Sequence, residues 1–304
     1  MKRIIALLVV FTLALVGLYV FLPGQQQTKV TFGLKANSRS IARFLAQDSI
    51  WQKMNLNAGN SSGQYSFAVQ RADAGALAGM LTHQGSQYPS VLLLIELQKD
   101  SMLLDWTTTF TAGPWPWQRL KLLSEKNLVT AYMQQQLLQM KLLLEDTKNT
   151  YGAPIKFGTM QDSVLITTAF TTDSYPNTAA LYAQIGKLQT YALARGADTT
   201  KAPMVFVQAD KTSGSFLTRL ALPVNTALPP TANIAIKNMV LGNNLSATVT
   251  GPESKVQATF KAMYQFVEDY QLTMPAIPYA QLVTNRLQQP DSNRWVTTVY
   301  FPIH

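Results

Sequence analysis

The side chains that most often do chemistry are scarce in this chain. Cysteine is absent, and only two histidines, His83 and His304, occur among 304 residues. These counts exclude thiolate metal sites, iron–sulfur clusters, disulfides, cysteine nucleophiles and a multi-histidine metal site. The adjacent carboxylates at 145–146 and 268–269 lie on predicted helices, where neighbouring residues do not face the same way. No phosphate-binding loop or metal-ligand spacing occurs, so we predict no catalytic residue, no metal and no cofactor.

The charge pattern argues against a nucleic-acid partner. Charged residues make up 13% of the chain and the formal net charge is +9, of which Lys2 and Arg3 supply two. The remaining excess is spread over 25–149 and 150–304 without a basic run or a recognition-helix pattern. Nucleic-acid binding needs such clustering, because it depends on neutralising consecutive phosphates. We therefore predict that the chain binds no nucleic acid.

The N-terminus has the pattern of a membrane anchor. Residues 4–22 carry no charge, and about 20 helical residues are needed to span the hydrocarbon core. A cleaved signal peptide is the alternative, but its apolar core is usually shorter, and 21–25 offers no small-x-small cleavage site. Lys2 and Arg3 would remain cytoplasmic by the positive-inside rule. We predict a single-pass anchor over 1–24, with the rest of the chain outside the cytoplasm.

The segment 25–149 is predicted to form one antiparallel sheet closed by a long helix. Residues 29–35 alternate between polar and apolar types, as a half-buried strand does. After a short helix near 38–45, four strand-like runs precede a helix from about 117 to 147. The apolar face of that helix is predicted from residues that recur on one side at helical spacing: Leu122, Val129, Met133, Leu137, Met140 and Leu144.

The strands at 30–35 and 104–111, the segment 38–51 and the closing helix resemble the SRPBCC (START-like, polyketide-cyclase-like) helix-grip family. The resemblance implies a curved sheet and a long helix that enclose an apolar cavity. Trp51, Trp106 and Met133 are its candidate wall residues, and ordinary core packing is the alternative role for each of them.

The segment 150–304 contains an internal repeat. Residues 216–224 match 295–303, and 203–207 match 278–282, position by position. Each half is predicted to contain a strand, a helix and two further strands. This duplication, with the C-terminal run at 294–303, resembles the GyrI-like effector-binding domain, the ligand-sensing module of many bacterial transcription activators. The resemblance implies a small-molecule pocket, whose candidate wall residues are Phe216, Tyr279, Gln281 and Trp295.

The pocket implied by this resemblance lacks the acids expected in it. Two acidic positions of the family correspond here to Ala280 and Thr298. Arg219 occupies the repeat position of Thr298, and strand alternation places both on the face opposite Phe216 and Trp295. A pocket there would be neutral or weakly positive and would suit a neutral or anionic apolar ligand. A solvated role is the alternative for Arg219.

The sequence as a whole predicts an α+β protein in three parts. These are a transmembrane helix over 1–24, an SRPBCC-like domain over 25–149 and a GyrI-like domain over 150–304. We expect a non-catalytic, membrane-anchored protein of the bacterial envelope that binds an apolar, aromatic or lipid-like small molecule. A hydrolase or cyclase-like enzyme using one of the two cavities is the first alternative. A module that binds another envelope protein is the second, with its partner unknown.

Overall fold

The chain folds into two compact units, 1–146 and 147–304. The computed structural model describes residues 24–45, 65–73, 75–160 and 164–304, together with 10, 12, 13, 16, 17, 19 and 20. Each unit contains one antiparallel sheet with helices packed against it, which makes the protein α+β. Each unit also has its own cluster of buried apolar side chains.

The predicted fold class is wrong in its N-terminal membrane-spanning helix. Within the part of the chain that the structure describes, no helix is long and apolar enough to cross a membrane. Most of the predicted span 4–22 lies outside the described residues. The 30-residue helix Pro116–Glu145 has the length for a span, but charged and polar side chains interrupt it throughout.

The first unit is a five-stranded antiparallel sheet covered by one long helix. The sheet order is β1-β5-β4-β3-β2. The strands are β1 (Gln25–Leu34), β2 (Tyr65–Asp73), β3 (Ala76–His83), β4 (Ser86–Gln98) and β5 (Ser101–Thr111). The helices are α1 (Ser38–Leu45) and α2 (Pro116–Glu145). Every second residue along β3 is buried, and so is every second residue along β1 except the half-buried Phe32, because alternate side chains point to the same face of a strand.

The long helix confirms the predicted apolar face. All the residues expected on that face are at most 4% exposed: Leu122, Val129, Met133, Leu137, Met140 and Leu144. They pack against sheet residues such as Leu104 and Phe110 in the core of this unit. The wider resemblance of the unit to the SRPBCC family stays a prediction.

The second unit is an eight-stranded antiparallel sheet with order β10-β7-β9-β8-β12-β13-β11-β6. The strands of its first half are β6 (Lys156–Met160), β7 (Val164–Thr172), β8 (Met204–Ala209) and β9 (Phe216–Val224). Those of its second half are β10 (Ala235–Asn238), β11 (Gly242–Thr250), β12 (Tyr279–Leu282) and β13 (Val296–Ile303). The helices are α3 (Thr147–Tyr151), α4 (Thr178–Leu193) and α5 (Glu253–Asp269), and a 3-10 turn spans Ser292–Arg294.

The strand registers show that the second unit is duplicated. Val205 pairs with Leu220 in the first half, and the equivalent Ala280 pairs with Val299 in the second. β8 pairs directly with β12 and thereby joins the two halves into one sheet.

The structure extends this repeat by one strand in each half. Phe157 of β6 pairs with Leu245 of β11, whereas the equivalent Ile236 of β10 pairs with Ile166 of β7. The two halves therefore exchange their first strands across the sheet.

Candidate functional site

The sheet of the second unit has one face covered by helices and one open face. Leu220 and Leu222 of β9 are buried with Ile185 and Leu188 of α4, which defines the helix face. Because side chains alternate along a strand, Arg219 and its neighbours two residues away lie on the opposite, open face. Their cross-strand partners lie on that face too, which places Ala169 and Phe206 beside Arg219.

A cleft of about 970 Å³ lies in the first half of the second unit. Its central strands contribute side chains that are mostly apolar: Leu165, Thr167, Ala169, Met204, Phe206 and Ala221. Helix α4, the segment 231–240 and residues 276–277 complete the wall. The cleft size is typical of a small-molecule site, for which about 300–1,000 Å³ is usual.

The two repeats differ in side-chain size at one position of this cleft. Ala221 of β9 lines it, and the equivalent residue on β13 is Tyr300. The Tyr300 ring stacks on Tyr279, with centroids 5.2 Å apart. Met204 is the first-half equivalent of Tyr279 and pairs with Ala221. Two stacked rings therefore occupy in the second half the space that a methyl group and a thioether chain leave open in the first.

The titration of Tyr279 is suppressed by its surroundings. Burial raises the pKa of its phenol above the ordinary range, and the neighbouring Tyr300 raises it further. The ring at the end of the cleft consequently stays neutral at physiological pH and acts as an apolar wall with a hydroxyl edge.

The cleft is positively charged. Lys187, Arg219 and Lys237 line it, and none of the described lining residues is an aspartate or glutamate. Within the described residues, none of these three cations forms an ion pair with a carboxylate. Arg219 donates from Nη1 to the neutral Oε1 of Gln208 at 3.1 Å. This arrangement accords with the expectation that a pocket beside Arg219 would be neutral or weakly positive.

The structure brings together two of the residues singled out by the sequence, Arg219 and Tyr279, which both line the cleft. Gln281 shares the open face but donates to the backbone carbonyl of Ala202, and it is not among the cleft residues. Phe216 instead contacts the ring of Tyr175, at a centroid distance of 5.8 Å.

The other candidate wall residues do not join this cleft. Trp295 donates from Nε1 to the carbonyl of Gln289 and lies under the Arg286 guanidinium. Trp106 and Met133 are 3% and 0% exposed within the core of the first unit. Trp51 lies outside the described residues. A binding role for these residues stays a prediction.

A second, smaller pocket of about 230 Å³ contains a charged pair that sequence reasoning missed. Arg286 donates to Glu253 at 2.8 Å, and only 3% of the arginine side chain is exposed. Tyr175 also donates to Glu253, at 2.7 Å, and burial together with this carboxylate raises its pKa far above the usual range. Ala280, where an acid was expected, lines the same pocket. No local signal predicts the pair, because the partners lie on distant parts of the chain.

The first unit holds a buried histidine among aromatic rings. His83 is 3% exposed, and its ring lies 4.1 Å from that of Tyr65, which also stacks on Tyr132. Burial lowers the pKa of His83, although Glu125 opposes this effect. His83 is the last residue of β3, and the turn that follows comprises Gln84 and Gly85.

Comparisons with known proteins give distant structural likenesses. No family model and no curated protein matches this chain. Among solved structures, EcmrR in complex with DNA is 14% identical over 62% of this chain and 70% of its own, with a TM-score of 0.44. The EcmrR C-terminal domain is 13% identical over 50% of this chain and 98% of its own, with a TM-score of 0.43. SAV2435 bound to tetraphenylphosphonium is 12% identical over 49% of this chain and 93% of its own, with a TM-score of 0.32.

These likenesses are too distant to carry an argument about this chain. The evidence for the duplicated fold of the second unit is its own strand pairing. The DNA in the first complex is bound by EcmrR, and the absence of a nucleic-acid partner for this chain stays a prediction.

Proposed function

We propose that the second unit binds a small apolar molecule in the cleft of its first half. The observation that carries this proposal is the cleft of about 970 Å³, whose lining includes Ala221 at the position equivalent to Tyr300 of the second half. Ordinary cores are close-packed, with few voids larger than a water molecule. A space of this size, lined by aliphatic and aromatic side chains, is what a ligand of drug size occupies.

Binding fits the cleft better than hydrolysis does. Hydrolysis in such a site needs a positioned acid and base, or a nucleophile beside a base. The lining residues that the structure describes include no aspartate, glutamate or histidine. Lysine, arginine and tyrosine supply its titratable groups, and the pKa of Tyr279 is raised. The non-catalytic reading of the sequence is therefore retained for this unit.

A neutral fluorophore tests the proposal directly. N-phenyl-1-naphthylamine emits strongly in apolar surroundings, and we expect saturable enhancement of its emission by the full chain. The variant Ala221→Tyr introduces the ring of the second half into the cleft, so its affinity for the probe should fall at least about tenfold, or 1.4 kcal/mol. Ala258→Tyr adds the same ring at an exposed position on α5, which contributes nothing to the cleft, and should bind like the wild type.

Two results would reject cleft binding. One is the absence of saturable enhancement in the wild type. The other is an equal loss of affinity in Ala221→Tyr and Ala258→Tyr, since the cleft would then not be where the probe binds.

A further inference from the structure

We infer that the cleft selects an amphiphilic organic anion, an inference that rests on the proposed function of this same cleft. The ligand would combine an apolar body with a carboxylate, sulfate or sulfonate head. Three positively charged side chains around an apolar floor, with no carboxylate among the described lining residues, carry the inference.

Two of the cations lie at opposite ends of the floor. Lys237 on β10 pairs with Leu165 of β7, and Arg219 on β9 pairs with Ala169, further along the same strand. All four side chains lie on the open face, because cross-strand partners share a face. Four residues of strand separate the two positions, roughly 13 Å at about 3.3 Å per residue. Thr167 lies between them, so an apolar body can lie along β7 with its charged end at a cation.

The third cation comes from the helix that covers the other face of the sheet. Lys187 belongs to α4, where Gln184 and Leu188 line the cleft beside it. Both lysines are exposed and Arg219 is half-buried. The ammonium groups of the two lysines keep much of their hydration. Each lysine is therefore expected to contribute a modest, salt-sensitive attraction rather than a rigid ion pair.

Among the residues that the structure describes, no carboxylate pairs with the cations of the cleft. Arg219 is hydrogen-bonded to the amide oxygen of Gln208, which carries no charge. The ion pair between Glu253 and Arg286 belongs to the smaller pocket. A ligand anion therefore meets uncompensated positive charge in the cleft, whereas a ligand cation meets repulsion.

The lining also argues for an amphiphile over a small inorganic anion. The floor between the cations contains Thr167 but is otherwise formed by aliphatic or aromatic side chains such as Leu165, Ala221 and Phe206. Burying apolar surface supplies about 25 cal/mol per Å², which an inorganic ion does not gain. An organic anion uses both the floor and the charges.

Three ligands with the same ten-carbon chain test the inference. Decanoate, 1-decanol and decyltrimethylammonium, each below its micelle concentration, compete with N-phenyl-1-naphthylamine for the full chain at low salt. We expect decanoate to bind about tenfold more tightly than decanol, and decyltrimethylammonium more weakly than decanol. Raising the salt concentration should reduce the advantage of decanoate and leave decanol nearly unchanged.

Charge variants locate the effect. Lys187→Gln and Lys237→Gln should each weaken decanoate about threefold or more without changing decanol. Lys261→Gln makes the same charge change on an exposed part of α5 and should leave all three affinities unchanged. Lys237→Glu should weaken decanoate and strengthen decyltrimethylammonium, a crossover that a folding defect does not produce.

The outcomes distinguish a failure of the anion inference from a failure of the proposed function. If N-phenyl-1-naphthylamine binds the wild type and Ala221→Tyr blocks it, the proposed function stands. If decanoate then shows no advantage over decanol, or if Lys261→Gln reduces that advantage as much as Lys237→Gln, the anion inference is wrong. If the fluorophore does not bind, the proposed function itself fails.

Discussion

Thr218 and Thr297 occupy equivalent places in the two repeats of the second unit, but their hydroxyls differ in hydrogen bonding. Thr218 pairs with Val207 on β8, and Thr297 pairs with the equivalent Leu282 on β12. Both side chains are 0% exposed. The Thr297 hydroxyl accepts from Nη2 of Arg286 at 3.1 Å, whereas the Thr218 hydroxyl has no hydrogen-bond partner within the described structure.

Replacing each threonine by valine should therefore change stability in opposite directions. Thr218→Val removes an unsatisfied buried hydroxyl and should raise the free energy of unfolding by about 1 kcal/mol. Thr297→Val removes the acceptor of a charged donor and should lower it by about 2 kcal/mol.

Urea titration with pulsed hydrogen exchange, followed on peptides covering β9 and β13, reports the second unit specifically. Destabilisation by both variants would show that the Thr218 hydroxyl is satisfied in solution.

The ion pair between Arg286 and Glu253 should stabilise the second unit. Arg286→Met leaves the carboxylate without its guanidinium, and the side chain of Glu253 is 30% exposed. We expect a loss of about 2–3 kcal/mol, less than the roughly 3–5 kcal/mol of a fully buried pair, because Glu253 is partly exposed. The double variant Arg286→Met/Glu253→Met should recover part of that loss, because no unpaired charge remains. The same pulsed-exchange titration measures these two variants and the single variant Glu253→Met. Single-variant losses that add up to the loss of the double variant would mean that the two charges do not interact.

Gly79 is required for a close approach between two strands of the first unit. A Cβ built there would lie 2.2 Å from the backbone oxygen of Ala68 on β2, and backbone cannot move aside cheaply. Gly79→Ala should lower the free energy of unfolding of this unit by about 2–3 kcal/mol.

Gly33 on β1 provides the matched control, because a Cβ there meets nothing within 4 Å. Gly33→Ala should be neutral or slightly stabilising, since it restricts the unfolded chain. Urea titration read on peptides covering β3 and β1 compares them, and equal effects would contradict the steric explanation.

The buried histidine should make the first unit sensitive to acid. Burial lowers the pKa of His83 in the folded state, so the unfolded state binds the proton more tightly. The stability is fully present above the unfolded pKa of about 6.5 and is lost as the pH falls below it through the folded pKa. His83→Phe keeps a ring against Tyr65 and should flatten this dependence between about pH 7.5 and pH 5.

Unfolding midpoints in urea at the two pH values test this, with His304→Gln at the exposed C-terminus as the control. A wild-type pH dependence that persists in His83→Phe would assign the effect to other groups.

Local periodicity was sufficient to predict much of the secondary structure. The apolar face of α2 was predicted residue by residue, because a helix repeats its buried positions every three or four residues. Matching 216–224 with 295–303 correctly equated Leu220 with Val299, as the strand pairing shows. The membrane-spanning helix, in contrast, was inferred from apolar length alone and is not part of the described fold.

The strand exchange between β6 and β10 was missed because each strand is only a few residues long. Their partners, Leu245 and Ile166, are set by the completed sheet rather than by neighbouring residues. The pairing of Arg286 with Glu253 was missed for a similar reason, since loop and helix residues meet only after both halves have folded.

The sequence by itself determined which residue types are present and which repeat with which. It established the lack of cysteine, the scarcity of histidine and the duplication. Only the tertiary structure decided which half contains a cleft and which side chains line it. No pattern in the sequence singles out Lys187 or Lys237. The packing of α4 and the pairing of β10 place them in the lining of the same cleft as Arg219. The physical reason is that a cavity is the space left by distant side chains, and its charge is the sum over residues that only folding brings together.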